Sequence, residues 1–319
     1  MKSKSPMAIF LDEAQVTELL DMESCIRVLE EAFKDKAEGE ASVLPRRRLP
    51  FRGARFMIMA STMPRRGWYG FKVYGVGHGH EMVLYTAGDG LAAILSARRI
   101  GQVRTGAASG LATKYMARAD ARHLGCFGTG RQAETQIHAC AQVRKLESIH
   151  VYGRDAPKRK AFAEKMSTLL KQEVRPVETS ADAVKGRDIL ITMTNASQPV
   201  FDGKLVEPGT HINAAGSNTR LHRELDETAV TRAGLIATDD LEGARLECGD
   251  LVWPIERGLM AWEKVYELAP IVAGRMAGRR SADEITLFES QGIALEDVAA
   301  ASLVYERAME RGMGVKLPF

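Results

Sequence analysis

Long apolar runs are missing from this chain of 319 residues. Nowhere do about 20 apolar residues follow one another, the length a helix needs to cross a bilayer. The N-terminal MKSKSPMAIFLDEAQ also lacks the apolar stretch of a signal peptide, so the expectation is a soluble cytosolic protein without a membrane partner. Cysteine is scarce. The four present (Cys25, Cys126, Cys140 and Cys248) show neither CxxC spacing nor a disulfide-like pattern, which suits free thiols in a reducing compartment. Nor is either sign of charge in excess: 44 Lys and Arg face 41 Asp and Glu, a formal +3 that argues against nucleic acid as a partner. The densest basic patch, 46-RRR-48, sits beside prolines and is too short to be an arm. Internal repeats and low-complexity segments are absent as well.

What the chain does have is periodicity. Residues 8–38 read as a short strand and then a helix, with Asp12 or Thr17 as the cap and Leu19, Leu20, Ile26, Leu29 and Phe33 near helical spacing. From Val43 to Tyr85 the pattern turns to short β-like runs, 55-RFMIMAS-61, 69-YGFKVYGV-76 and 82-MVLYT-86. Glycines and prolines punctuate them, as in an antiparallel or barrel-like sheet. The stretch 104-RTGAASGLATKYMAR-118 predicts a helix whose small residues suit close packing. From residue 122 the rhythm is strand–helix–strand, with apolar strands at 123–128, 148–153, 188–194, 211–216 and 234–239. Such strands separated by helices predict an α/β fold with a Rossmann-type, doubly wound parallel sheet. The tail, residues 292–312, predicts an amphipathic helix.

The first of these strands runs into Gly128-Thr129-Gly130-Arg131-Gln132-Ala133, a GxGxxA turn that opens a helix. In that setting Gly128 permits the tight turn, Gly130 lets the backbone approach a pyrophosphate, and Ala133 allows helix and strand to pack. The phosphates would rest on the amides at the helix start, which makes Gly128, Thr129, Gly130, Arg131 and Gln132 cofactor candidates. The second strand ends 151-VYGRDAPKRK-160, with Gly153 where an NAD site often has an acid and Arg154 next. A guanidinium suits a ribose 2′-phosphate, so NADP(H) is favoured, with NAD(H) as the alternative. Asp155 either binds a ribose hydroxyl or caps the next helix. For Lys158, Arg159 and Lys160 an ordinary solvated helical turn has nearly equal standing.

Taken together, 70-GFKVY-74, 104-RTGAASGLAT-113, 128-GTGRQA-133, 211-HINAAGSNTRLHREL-225 and 285-ITLFESQGIALED-297 give a sequence that resembles the ornithine cyclodeaminase/μ-crystallin family over nearly its full length. The resemblance implies a discontinuous α+β domain, residues 1–113 and 293–319, that binds substrate and forms a homodimer. A Rossmann domain, 114–292, lies between. It also implies hydride transfer with NAD(H) or NADP(H) at a carbon–nitrogen centre beside a carboxylate. Lys72 matches the family's active-site lysine, and burial would suit it to proton transfer. Without the resemblance, a snorkelling lysine on a strand edge is the preferred reading. Arg104 matches an arginine near substrate carboxylate and nicotinamide, with Thr105 beside it. A second substrate arginine falls in 46-RRR-48; alternation puts Arg46 and Arg48 on one face, and Arg46 is favoured. Thr194, Asn195, Gly216, Ser217 and Ser290 fall at cofactor positions, although a polar turn for the first pair and a helix cap for Ser290 are alternatives.

One departure is informative. Where the cyclodeaminase branch carries an aspartate, this sequence has Asn218, whose amide orients a water or an imine but cannot act as a carboxylate base. That favours an imine reductase or amino-acid dehydrogenase over the namesake reaction. The alternatives are a cyclodeaminase-like ammonia-lyase that recycles NAD and an NADPH-dependent small-ligand binding protein of μ-crystallin type. His78 and His80 have a spacing that two metal ligands can share, but no third ligand is visible, and no metal is expected.

Overall fold

The structure is a computed structural model and describes residues 8–318, without the side chain of His78. The chain divides into two units, one comprising Met1–Arg104 with Ile293–Phe319 and the other Thr105–Gly292.

In the first unit, strand β1 (Ile9–Leu11) is followed by helix Glu13–Leu19. Of the two candidate caps, Asp12 is the one used: it forms a capping box with Gln15. The helix expected to run on stops at Leu20, and Asp21 caps a second one, Met22–Ala37. Strands β2 (Ser42–Phe51), β3 (Ala54–Met63), β4 (Trp68–Tyr74), β5 (His80–Thr86) and β6 (Gly90–Ser96) form an antiparallel meander. β6 then pairs in parallel with β1, whose far edge takes the short strand Val315–Lys316, and the result is an open seven-stranded sheet.

Helix Ala294–Arg311 packs across this sheet and against helix Met22–Ala37. The sequence predicts an amphipathic helix here, but every residue from Ala294 to Tyr305 is buried. Ala299, Ala300 and Ala301 are small enough to admit neighbours on several sides, so a polar–apolar pattern does not mark a solvent face in this element. The first unit's core therefore encloses two carboxylates, Glu296 and Asp297, in the helix's first turn.

The boundary between the units falls inside helix Arg98–Met116, at Arg104, rather than at residue 113. The small residues explain it. A Cβ at Gly106 would lie 2.4 Å from the Thr135 carbonyl, and one at Gly110 would lie 2.9 Å from Ala139 Cβ. This half of the helix is thus fitted to helix Arg131–Val143 of the second unit.

The second unit contains β7 (His123–Phe127), β8 (Ser148–Tyr152), β9 (Val174–Pro176), β10 (Ile189–Thr192), β11 (His211–Ala214), β12 (Leu235–Thr238), β13 (Val265–Glu267) and β14 (Thr286–Glu289). All pair in parallel, in the order β9-β8-β7-β10-β11-β14-β12-β13. Ile189 and Ile191 of β10 enter one apolar core and Leu190 the other, so both faces are covered. This is the α/β, Rossmann-type, doubly wound sheet. The order reverses between β7 and β10, and the crevice beyond the carboxyl ends of those strands is where such sheets take ligands.

Candidate functional site

Lys72 stands on the covered face of the first unit's sheet, in register with Met59 on β3 and Met82 on β5. Both methionines are buried, and Lys72 is only 4% exposed. Its ammonium donates to Asp297 Oδ1 at 2.7 Å and lies 5.4 Å from the centre of the Tyr74 ring. Arg104 is held by the same helix turn: Nε donates to Asp297 Oδ1 at 3.1 Å and Nη1 to Glu296 Oε2 at 2.7 Å. Arg46 is also buried; it belongs to a bulge in β2, where the pairing with β3 slips between Leu44 and Arg47. Arg47 is exposed and Arg48 half-buried. Three predicted residues, Arg46, Lys72 and Arg104, therefore come together, and Arg48 stays at the margin.

The charges are unequal to one another in access. Lys72, Arg104 and Arg46 each keep a few per cent of exposure, whereas Glu296 and Asp297 have none. Lys72 and Arg104 are both paired with the tail helix's carboxylates, and Arg46 lies near enough for its charge to act on the Lys72 ammonium. Burial pulls the Lys72 ammonium down to about 8; Asp297 opposes that fall, while Arg104 and Arg46 add to it. For Asp297, burial works upward but is outweighed by Arg104 and Lys72, and the carboxyl is held below its usual range. Burial likewise works against the charge of Arg104, yet Asp297 and Glu296 hold its guanidinium above the ordinary value.

In the second unit, Gly128 has a φ of +116°, and a Cβ there would lie 2.1 Å from the Met193 carbonyl after β10. A side chain would break the junction of the two turns. At Gly130, by contrast, an added Cβ would meet nothing of the protein within 4 Å. Gly130 caps helix Arg131–Val143 without any side-chain hydrogen bond, which leaves the helix's first amides uncapped by a side chain. Gln132 Oε1 is buried without a hydrogen-bond partner in the protein. Open space over Gly130 and an uncapped helix start are what a bound dinucleotide pyrophosphate requires, so the residues present fit the cofactor; the orphan Gln132 Oε1 accepts and would suit a hydroxyl donor rather than a phosphate. Thr129 reaches the second strand's end: a Cβ at Gly153 would lie 3.0 Å from Thr129 Cγ2.

The basic run after Gly153 divides by role. Asp155 caps helix Ala156–Leu170, accepting from Lys158 N at 3.0 Å. Arg159 is buried and donates to the Gly153 carbonyl and Glu178. Arg154 is exposed. The remaining candidates cluster on the strand ends: Thr194 and exposed Asn195 after β10, Gly216, buried Ser217 and exposed Asn218 after β11. The Thr105 carbonyl accepts from Gln136 Nε2. Ser290 donates to Asp239 Oδ2 at 3.3 Å, and the N-cap position of the tail helix is Ile293, with no side-chain cap, so Ser290 is not its cap. Among the described residues no group of three His, Cys, Asp or Glu is arranged to hold a metal; His80 stacks on Tyr74, and the His78 side chain lies outside what is described.

A family model, the ornithine cyclodeaminase/mu-crystallin family, matches residues 7–312. The chain belongs to that family. Among its relatives, the Delta(1)-pyrroline-2-carboxylate reductase of Bacillus cereus is 38% identical over 236 residues, covering 74% of this chain and 72% of that protein. The structure of the Thermococcus litoralis Delta(1)-pyrroline-2-carboxylate reductase in complex with NADH and L-proline is 35% identical, with a TM-score of 0.93, covering 97% of this chain and 100% of the other. An archaeal alanine dehydrogenase dimer with bound NAD is 30% identical, TM-score 0.89, over 98% of this chain and 99% of that one.

Within this family member, two groups escaped the sequence reading. Glu296 and Asp297 lie in a quoted segment, 285-ITLFESQGIALED-297, but in a helix with charged residues elsewhere they look like part of its solvent face. Their one available signal is position: acidic residues in a first turn suit the helix dipole. The second group is Glu224 and Asp250, buried beneath the turns after β10 and β11, and nothing in local spacing marks them.

Proposed function

We propose that this chain reduces a small α-imino acid to the amino acid with a nicotinamide cofactor, and catalyses the reverse oxidation. The observation that carries the reading is the buried Lys72–Asp297–Arg104 arrangement, with the buried Arg46 beside it. A substrate carboxylate would be received by Arg46 and Arg104, whose guanidiniums suit its geometry. Lys72, at about 8, holds a proton near neutral pH and can release it, as protonation of the nitrogen during imine reduction requires. When bound, the nicotinamide supplies or accepts the hydride. In this reading Asn218 orients the nitrogen or a water and acts as no base.

The pH dependence follows from the sign. Reduction needs Lys72 protonated, so its rate is level below about pH 8 and falls as pH rises through that value; oxidation needs the neutral amine and rises through it. The test of the reading is a spectrophotometric assay with both reduced cofactors and a panel of cyclic and linear imino acids.

For the cofactor the reading is NADP(H). The supporting facts are Gly153 in place of an acid, Asp155 engaged as a helix cap, and Arg154 exposed beside them. Arg154→Ala should weaken NADPH about ten-fold and leave NADH within two-fold, the loss of one charge-assisted phosphate contact. Equal effects on both cofactors in fluorescence titrations would assign Arg154 elsewhere. The reading includes a homodimer in the cytosol. Leu49 and Phe51 on the sheet-edge strand β2 are half exposed, and the alanine dehydrogenase relative is a dimer. A mass in solution of twice 35.0 kDa by light scattering is the expected result, and a monomer would oppose it.

A further inference from the structure

β10 and β11 lie side by side, Thr192 paired with Ala214, and their chains leave the sheet together. Just beyond, three donors from the two turns converge on one carboxylate. Thr194 N and Thr194 Oγ1 both donate to Glu224 Oε1 at 2.6 Å, and Gly216 N donates to Glu224 Oε2 at 2.8 Å. The approach is so close that a Cβ on Gly216 would lie 2.4 Å from Thr194 N and 2.5 Å from Glu224 Oε2, which is why glycine stands there. Glu224 has no exposed surface.

Its backbone is tied down as firmly. Glu224 N and Leu225 N both donate to Asp250 Oδ1, at 2.8 and 2.7 Å, and the Glu224 carbonyl accepts from Val200 N. Ser217 Oγ donates across the intervening loop to the His222 carbonyl. One residue thus fastens the turn after β10, the turn after β11, the segment reaching Val200 and the first turn of helix Gly249–Glu256.

We infer that Glu224 is a positioning residue for the cofactor, held in place by Asp250, and that its carboxylate joins the turns after β10 and β11 into a single rim. The inference rests on reading Thr194, Asn195, Gly216 and Ser217 as cofactor contacts. A carboxylate is the group for this task because it offers lone pairs on two oxygens and no donor. An amide of the same shape would turn its NH2 against either the Gly216 amide or the Thr194 pair. Hydrogen bonds to a charged acceptor are also the stronger kind. Removing them frees two turns that otherwise meet a ligand ready-formed, and the cost appears as cofactor affinity.

The experiment is a titration of nucleotide fluorescence with NADPH and NADH on the full chain, alongside steady-state kinetics. Glu224→Gln should raise the dissociation constant of the reduced cofactor by about ten-fold or more, the size of a lost charge-assisted hydrogen bond. At saturating cofactor the KM for the imino acid should stay near wild type and any fall in kcat should be smaller than the rise in the dissociation constant, because Lys72, Arg46 and Arg104 belong to the first unit and only Asn218 lies on the loosened turn. A role in folding alone would instead lower the melting temperature without that split. Should Glu224→Gln fail to fold, Asp250 gives the same reading. Asp250→Asn keeps an oxygen for both amides and should bind cofactor as wild type does, while Asp250→Ala should bind it several-fold more weakly. Cofactor affinity within two-fold of wild type in folded Glu224→Gln or Asp250→Ala overturns the inference. A wild-type chain that binds neither cofactor overturns the reading of the rim itself, a separate result.

Discussion

Lys72→Ala is expected to lower kcat for imine reduction by ~10²–10⁴-fold, the usual contribution of a positioned proton donor. Binding of the reduced cofactor should be unchanged, since the turns that fit it belong to the second unit. The effect is large because of where the amine sits. In water a lysine holds its proton too tightly to give it up near neutrality; at 4% exposure, between Met59 and Met82, Lys72 is brought to about 8. The residual rate of Lys72→Ala should also lose the fall through pH 8 described for the wild type. Near-normal kcat, or an unmoved pH limb, removes Lys72 from the mechanism.

The second large effect is expected at Asp297, and it divides into two variants. Asp297→Ala leaves Lys72 and Arg104 buried without the carboxylate they share, and breaking a buried pair in this way costs about 3–5 kcal/mol of stability. Urea denaturation reads that loss. Asp297→Asn is milder and more telling: it keeps a carbonyl oxygen for the two donors but removes the negative charge. Because Asp297 opposes the fall of the Lys72 value, the wild-type limb near pH 8 should move to lower pH. Reduction at pH 8 then suffers more than reduction at pH 6. If the limb stays where it is in a folded Asp297→Asn enzyme, the two groups are not coupled as the geometry requires.

These two residues also mark the limit of what the sequence made legible. The GxGxxA turn and five of the parallel strands could be read directly, because glycine chemistry and apolar runs are local signals. Val174–Pro176 and Val265–Glu267, three residues each, carry too little pattern, and Thr286–Glu289, which lies inside the sheet between β11 and β12, follows a long stretch without the strand–helix rhythm. Lys72 and Arg104 stand out only through the family resemblance, whereas spacing alone favours a snorkelling lysine. Asp297 and Glu296 were hidden by a helix whose polar positions point into a core, a choice made by tertiary packing. Glu224 was hidden for the same reason, its partners lying eight and thirty residues away.

The alternatives from the sequence separate cleanly in one assay. Purified chain is mixed with NADPH, or with NADH, and each member of a panel that includes Δ1-pyrroline-2-carboxylate, linear α-imino acids formed from keto acid and ammonia, and ornithine. The reduced-nicotinamide absorbance is then followed. The account predicts cofactor oxidation that depends on a cyclic or linear imino acid, is faster with NADPH, and is lost in Lys72→Ala. Tight cofactor binding with no oxidation across the panel, or ammonia release from ornithine with no net change in cofactor, would contradict it.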